Sequence, residues 1–218
     1  MCIDENTGLG MPAREYREKL YEIYCHLYGM KHSSLGENDF LHLKQRKMLD
    51  SIFGYESWSW RVVGISKKAL DRVANKKPPF ENVKGIQRDH FILSREKIHE
   101  RMYARRVVGN EIKPLPFKEW WCDVFWKNDQ TLLVTWEENI KKSEKKSKVL
   151  CFADLQDWED WRHRYFPSDQ SAGVRYRPEI EERFLRELHA RDKRGELENI
   201  WQDTRDNLKA RLSENPSD

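Results

Sequence analysis

Large aromatic side chains are the feature that most constrains how this chain can fold. The sequence holds nine Trp, nine Phe and eight Tyr among 218 residues, although only 38% of its residues are hydrophobic and 35% are charged. So polar a composition approaches that of disordered chains, but each buried aromatic ring removes about 150–250 Å² from water. We therefore expect a globular fold, and 218 residues are enough to bury a core.

Hydrophobic patterning predicts an α+β fold. Apolar residues at three- and four-residue spacing predict helices, and alternating or β-branched runs predict strands. The expected architecture is a small central antiparallel sheet with packed helices and a helical C-terminal appendage. The helices are predicted at 12–28, 37–52 and 117–126, and the strands at 58–64, 83–93 and 131–136.

Small polar residues mark the predicted helix starts. Ser66 and Ser94 are expected to be N-caps, and the run T-W-E-E from Thr135 has the spacing of a capping box. Everything after residue 150 is interpreted as helical. In the last predicted helix, 197–212, the near-heptad spacing suggests either a helical hairpin or a homodimer contact.

Positive charge is concentrated in the middle of the chain. Three segments are predicted: an N-terminal helical segment at 1–57, a basic α+β core at 58–150 and a helical C-terminal segment at 151–218. The core carries 21 basic and 12 acidic side chains, whereas the C-terminal segment carries 12 basic and 16 acidic ones. This asymmetry favours binding to nucleic acid. The alternative is a solvated surface balanced by the acidic tail.

Cysteine spacing and hydropathy indicate where in the cell the protein is located. The four cysteines form no C-x-x-C pair and are interpreted as reduced thiols. The N-terminus lacks the apolar region of a signal peptide, and no run of eighteen apolar residues occurs. We therefore expect a cytoplasmic protein without a membrane contact.

The stretch Gln87-Arg88-Asp89-His90 closes a predicted strand inside the basic core. It resembles the His-metal-finger (ββα-metal, HNH-like) nucleases, in which a His that closes the first strand is the general base. The resemblance implies that His90 is the base and that Asp89 and Asn139 hold a divalent metal, expected to be Mg²⁺. Asn128 is the other candidate ligand.

The expected function is therefore a metal-dependent endonuclease that hydrolyses the phosphodiester bonds of double-stranded DNA, compatible with a restriction or defence role. Arg88 and Arg95 are placed near the phosphate in the catalytic group. Further contacts to nucleic acid are predicted for Lys84, Arg101, Arg105, Arg106, Lys141 and Lys142.

Each candidate residue also has a structural interpretation. His90 can be a partly buried His that pairs with Asp89 or a backbone carbonyl. The arginines after Ser94 can pair with Glu96 and Glu100 on the same helix. The chain would then be a non-catalytic nucleic-acid-binding protein or a helical interaction module.

Overall fold

The computed structural model describes residues 14–33, 62–74, 86–126, 130–140, 147–165, 178–201 and 203–214. Every structural statement below refers to these residues. The helix predicted at 37–52 lies outside them. None of the described helices is both long and apolar enough to cross a membrane.

The described residues contain seven strands and seven α-helices. The strands are β1 (Val62–Ser66), β2 (Ile86–His90), β3 (Val107–Val108), β4 (Glu111–Ile112), β5 (Thr131–Thr135), β6 (Lys148–Cys151) and β7 (Asp203–Thr204). The helices are α1 (Arg14–Lys31), α2 (Lys67–Ala74), α3 (Arg95–Met102), α4 (Trp136–Ile140), α5 (Trp158–Tyr165), α6 (Pro178–Lys193) and α7 (Arg205–Glu214). A π-helix spans Glu119–Trp126, and a 3₁₀ turn spans Phe152–Asp154.

Five strands form one sheet in the order β2-β5-β1-β6-β7, so the α+β class is confirmed. The sheet is mixed, because β1 and β5 run parallel while the other pairs are antiparallel. The predicted antiparallel pairing is therefore wrong for β1 and β5 only. The crossover between β1 and β5 contains α2, β2, α3, the β3–β4 hairpin and the π-helix, and parallel neighbours require such a long connection.

The C-terminal helices α5, α6 and α7 are present as predicted, but the residues after 150 are not all helical. Strand β6 pairs with β1 and is a central strand of the sheet, and the predicted boundary at 150/151 falls inside it. Residues 194–201 form turns, and β7 separates them from α7, so no continuous helix spans 197–212. Gly195, with φ 78°, ends α6 in the left-handed conformation that favours glycine.

Close packing between β1 and β6 explains why residue 64 is a glycine. A Cβ atom added at Gly64 would lie 2.2 Å from the carbonyl oxygen of Leu150, which is a backbone atom that cannot move aside. The strand predicted to end at Gly64 therefore continues through this glycine to Ser66.

Helices cover both faces of the sheet. On one face, Ile65, Leu133 and Leu150 pack against α2, α5 and α6. On the opposite face, Leu132 and Val134 pack in a cluster that includes Leu208 of α7. These strand residues are 0–2% exposed, so the sheet is a buried central layer.

A second, largely aromatic core lies away from the sheet. It joins α1 to α3 and to the π-helix, and the side chains of Trp120 and Trp121 are fully buried there. Tyr24 stacks on Trp120 with 5.1 Å between ring centroids. The aromatic helix predicted at 117–126 is thus helical, but from Glu119 onwards it has π-helical hydrogen bonding.

The predicted helix starts agree with the structure. Ser66 Oγ accepts a hydrogen bond from the Ala69 amide at 3.1 Å, and Ser94 Oγ accepts one from the Lys97 amide at 3.4 Å. At the start of α4, Thr135 and Glu138 exchange the two hydrogen bonds of a capping box.

Candidate active site

Strand β2, which carries the Gln87–His90 stretch, is an edge of the sheet and pairs only with β5 among the described strands. In this antiparallel pair His90 lies opposite Thr131, and Ile86 lies opposite Thr135. Helix α4 begins directly after Thr135. One end of β2 therefore holds His90, and the other end lies beside the start of α4.

Alternation along β2 divides the candidate residues between the two faces of the sheet. Successive side chains of a strand point to opposite faces, so Arg88 and His90 share one face and Asp89 lies on the other. Register agrees with this division, because Arg88 is opposite Leu133 and Asp89 is opposite Leu132, which belong to separate core clusters. The structure does not bring the side chains of Asp89 and His90 together.

Asp89 is part of a buried ion pair. Its carboxylate contacts the guanidinium group of Arg205 at the start of α7, and the two side chains are only 10% and 12% exposed. Separating such a pair leaves a charge in a medium that solvates it poorly. The pair fixes α7 to the edge strand, which is a role that the sequence prediction missed.

Asn139 also has a partner on β2. Its side-chain amide donates a 2.7 Å hydrogen bond to Oε1 of Gln87. Gln87 precedes His90 by three residues, which corresponds to about 10 Å along an extended strand. The structure therefore places Asn139 at the opposite end of β2 from His90.

A buried polar network supports this end of the strand. Glu138 is 2% exposed, and its Oε2 accepts hydrogen bonds from the Ser66 hydroxyl at 2.7 Å and from the Thr135 amide at 2.8 Å. On the outer side of α4, the hydrogen bond from Arg72 lowers the pKa of Glu137 to about 2. Helix α4 is thus tied to both β1 and α2.

The other end of β2 is more open. His90 is half-buried, as is Arg88 on the same face, so neither side chain is sealed inside the core. A short turn leads from His90 to Ser94, which caps α3. The structure thus places an imidazole and a guanidinium group on one face of an edge strand.

The remaining predicted contacts differ in exposure. Arg101 and Arg105 are exposed, whereas the guanidinium group of Arg106 donates to the carbonyl oxygen of Pro114 at 3.3 Å. Lys84, Asn128, Lys141 and Lys142 lie outside the described residues, and so does the side chain of Arg95.

The sequence prediction did not identify the β3–β4 hairpin. Val107 pairs with Ile112 and Val108 with Glu111, and Gly109 has φ 65° in the two-residue turn. The signal was present, because Gly-Asn between β-branched residues is a typical hairpin turn. The hairpin is exposed and follows the arginines of α3.

The candidate ligands that the structure describes do not lie together as a metal site. Asp89, His90 and Asn139 are divided between two faces and two ends of β2, so they do not fit a common ion. Within the described ranges, no group of three or more His, Cys, Asp or Glu side chains could hold one. A divalent metal stays a prediction, and no chemical step below depends on it.

One cysteine differs from its prediction. Cys122 is disulfide-bonded, whereas Cys25 and Cys151 are free thiols. The interpretation of all four cysteines as reduced is therefore wrong for Cys122.

Comparisons with known proteins leave the site to be interpreted from its geometry. No protein-family model, no curated protein and no solved structure matches this chain.

Proposed function

We propose that this chain is an endonuclease that hydrolyses DNA phosphodiester bonds, with His90 as the general base. The observation that carries the proposal is the position of His90, half-buried at the end of an edge strand and on the same face as Arg88. A neutral imidazole can take a proton from water, and a guanidinium group can stabilise charge on the phosphate.

The order of elements also supports the proposal. An antiparallel strand pair, β2 and β5, is followed directly by helix α4, which is the ββα order of the nucleases that the sequence resembles. His90 closes the first of these strands, as the general base does in that family. The long insertion between the strands holds α3, the β3–β4 hairpin and the π-helix.

A divalent ion, Mg²⁺ by expectation, is part of the proposal and supplies positive charge at the developing oxyanion when bound. Because Asp89 pairs with Arg205 and Asn139 binds Gln87, we do not assign its ligands among the described residues. Arg88 holds the phosphate, and His90 holds the proton taken from water.

Plasmid cleavage tests this proposal. Supercoiled DNA is incubated with the full chain in Mg²⁺, in Mn²⁺ and in EDTA, and we expect nicking or linearisation only with a divalent ion. His90→Ala should lower the cleavage rate by about 10²–10⁴-fold. His26→Ala is the matched control, because His26 is exposed on α1. Absence of cleavage by the wild-type chain under every condition would remove the enzymatic proposal.

A non-catalytic nucleic-acid-binding protein is the second candidate. The exposed hairpin beside Arg101 and Arg105 favours it, because those side chains can bind DNA whether or not His90 reacts. A chain of this kind would bind duplex DNA with a steep dependence on salt, and it would not cut the DNA in the presence of any metal ion.

Two further proposals concern location and assembly. We propose a cytoplasmic location, which the free thiols of Cys25 and Cys151 support because cytosolic thiols are kept reduced. Counting the free thiols of this chain in freshly lysed cells tests the location.

A homodimer through the C-terminal helices is also proposed. Leu208 of α7 is fully buried within the chain, so α7 could contact a second copy only through its outer face. Gel filtration of the full chain tests that contact.

A further inference from the structure

Three tyrosines of α1 hold both arms of the β3–β4 hairpin at their bases. The hydroxyl of Tyr28 donates to the carbonyl of Ala104 at 3.0 Å and accepts from the amide of Arg106 at 2.9 Å. The hydroxyl of Tyr24 accepts from the amide of Leu115 at 3.1 Å on the other arm. The hairpin therefore begins from two fixed points.

The same helix strengthens this attachment on both sides. Tyr24 also donates to the carbonyl of Met102 at 2.8 Å, and Tyr21 donates to the carbonyl of Leu115 at 2.9 Å. Burial raises the pKa of Tyr21 from its ordinary value of 10.0 to about 12. Between the arms, the Lys113 amide donates to the Arg106 carbonyl at 3.0 Å.

Beyond this base the hairpin projects apolar side chains into solvent. Val107 is 60% exposed, Val108 is 41% exposed and Ile112 is 38% exposed. They are half of the six large hydrophobic residues that are exposed in the described part of the chain. Burying these branched aliphatic side chains against a partner would favour binding through the hydrophobic effect. Binding would cost little conformational entropy, because the backbone of the hairpin is already held in place.

The surroundings of the hairpin are basic. Residues 95–118 carry seven basic and three acidic side chains. Arg101 and Arg105 are exposed beside the first arm, whereas Glu111 on the second arm is paired with Lys113 at 2.7 Å. An apolar hairpin that follows two exposed cations matches a partner that presents apolar groups close to anions.

We infer that the hairpin enters the major groove of duplex DNA, where Val107 and Ile112, which pair across the hairpin and share one of its faces, contact thymine methyl groups. The major groove is about 12 Å wide and admits a two-stranded β-ribbon, and the thymine C5 methyl is its apolar feature. Arg101 and Arg105 would then contact the phosphates that flank the groove. This inference rests on the proposed function and adds how the substrate is held.

Uracil-substituted DNA tests the inference, because uracil lacks only the methyl group. Binding of the full chain to poly(dA·dT) and to poly(dA·dU) is measured in EDTA, so that no cleavage occurs. We expect tighter binding to poly(dA·dT), by about fourfold for each methyl group that the hairpin buries. The triple variant Val107→Thr, Val108→Thr and Ile112→Thr should lose this preference, because threonine keeps the branch at Cβ but has a hydroxyl in place of a methyl group of Val or the ethyl group of Ile.

Matched variants separate the apolar contacts from the charged ones. Ile140→Thr changes an exposed aliphatic side chain outside the hairpin, and it should keep the thymine preference. Arg105→Gln should lower affinity for both polymers alike and reduce the slope of log K against log salt by about one. The triple variant should leave that slope unchanged.

The outcomes distinguish this inference from the proposed function. If the triple variant keeps full affinity and thymine preference, the inference is overturned, while plasmid cleavage by the same variant leaves the proposed function standing. If the triple variant elutes as a smaller species than the wild-type chain, the hairpin joins copies of the chain and the inference is likewise overturned. If the wild-type chain neither binds nor cuts duplex DNA, both fail.

Discussion

The two faces of strand β2 carry similar polar side chains but use them differently. On one face, Asp89 is buried against Arg205, and its charge holds α7 to the sheet. On the other face, Arg88 and His90 are half-buried at the edge of the sheet. Adjacent residues can therefore belong to separate parts of the molecule, with a buried ion pair on one face and the proposed reactive groups on the other.

Alternation along β2 also decides which candidate residues can act together. Asp89 and His90 are neighbours in the sequence, but successive side chains of a strand point in opposite directions. The two residues that share a face are His90 and Arg88, which alternate along the strand. The proposed reaction accordingly depends on this pair.

Breaking the ion pair should have the largest effect on stability. Arg205→Ala leaves the Asp89 carboxylate buried without its cation, so we expect the free energy of unfolding to fall by about 3–5 kcal/mol. Urea denaturation followed by circular dichroism measures the change. Arg211→Ala is the control, because its pair with Asp154 is more exposed, and it should cost less than about 1 kcal/mol. Equal losses in the two variants would contradict the assigned role of Arg205.

Asn139 sharpens the comparison, because the resemblance makes it a metal ligand and the structure gives it a partner in Gln87. We expect Asn139→Ala to lower the free energy of unfolding by about 1 kcal/mol, the usual loss for one hydrogen bond. Its cleavage rate and Mg²⁺ dependence should match the wild type. Loss of cleavage at unchanged stability would instead support the ligand role.

Arg88 tests whether the His90 face meets a phosphate. Arg88→Gln should leave the free energy of unfolding within about 0.5 kcal/mol of the wild-type value. In DNA binding it should reduce the salt slope by about one, because one phosphate contact is lost. An unchanged slope would indicate that Arg88 does not contact a phosphate of the DNA.

The smallest effect is expected outside both faces, at Glu137. Its pKa is lowered from an ordinary 4.5 to about 2 by the hydrogen bond from Arg72. A lowered pKa stabilises the fold above about pH 4.5, and this contribution disappears as the pH falls toward 2. The Glu137→Gln variant should thus unfold at a slightly lower urea concentration than the wild type at pH 7 and at the same concentration at pH 2. A difference that grows toward low pH would contradict the pairing.

Sequence patterns predicted the elements that have strong local signals. Helix α1 follows its apolar spacing, β5 follows its β-branched run, and the caps at Ser66 and Thr135 follow short-range chemistry. Strand β6 was missed because its four residues follow a highly charged run and show no alternation.

Long-range contacts were not predictable in the same way. Asp89 and Arg205 are far apart in the sequence, and nothing local in either segment indicates the other. The parallel pairing of β1 with β5 likewise depends on a long crossover. The hairpin was predictable, since Gly109-Asn110 is a recognised turn signal, but its attachment by Tyr24 and Tyr28 was not.

The most direct test of the account measures plasmid cleavage and urea stability on one preparation of His90→Ala. The account predicts that cleavage in Mg²⁺ falls by about 10²–10⁴-fold while the urea midpoint falls only slightly, because the half-buried His90 lies on the face of β2 that does not hold α7. Wild-type cleavage by His90→Ala, or a loss of cleavage that only follows a lowered midpoint, would contradict it.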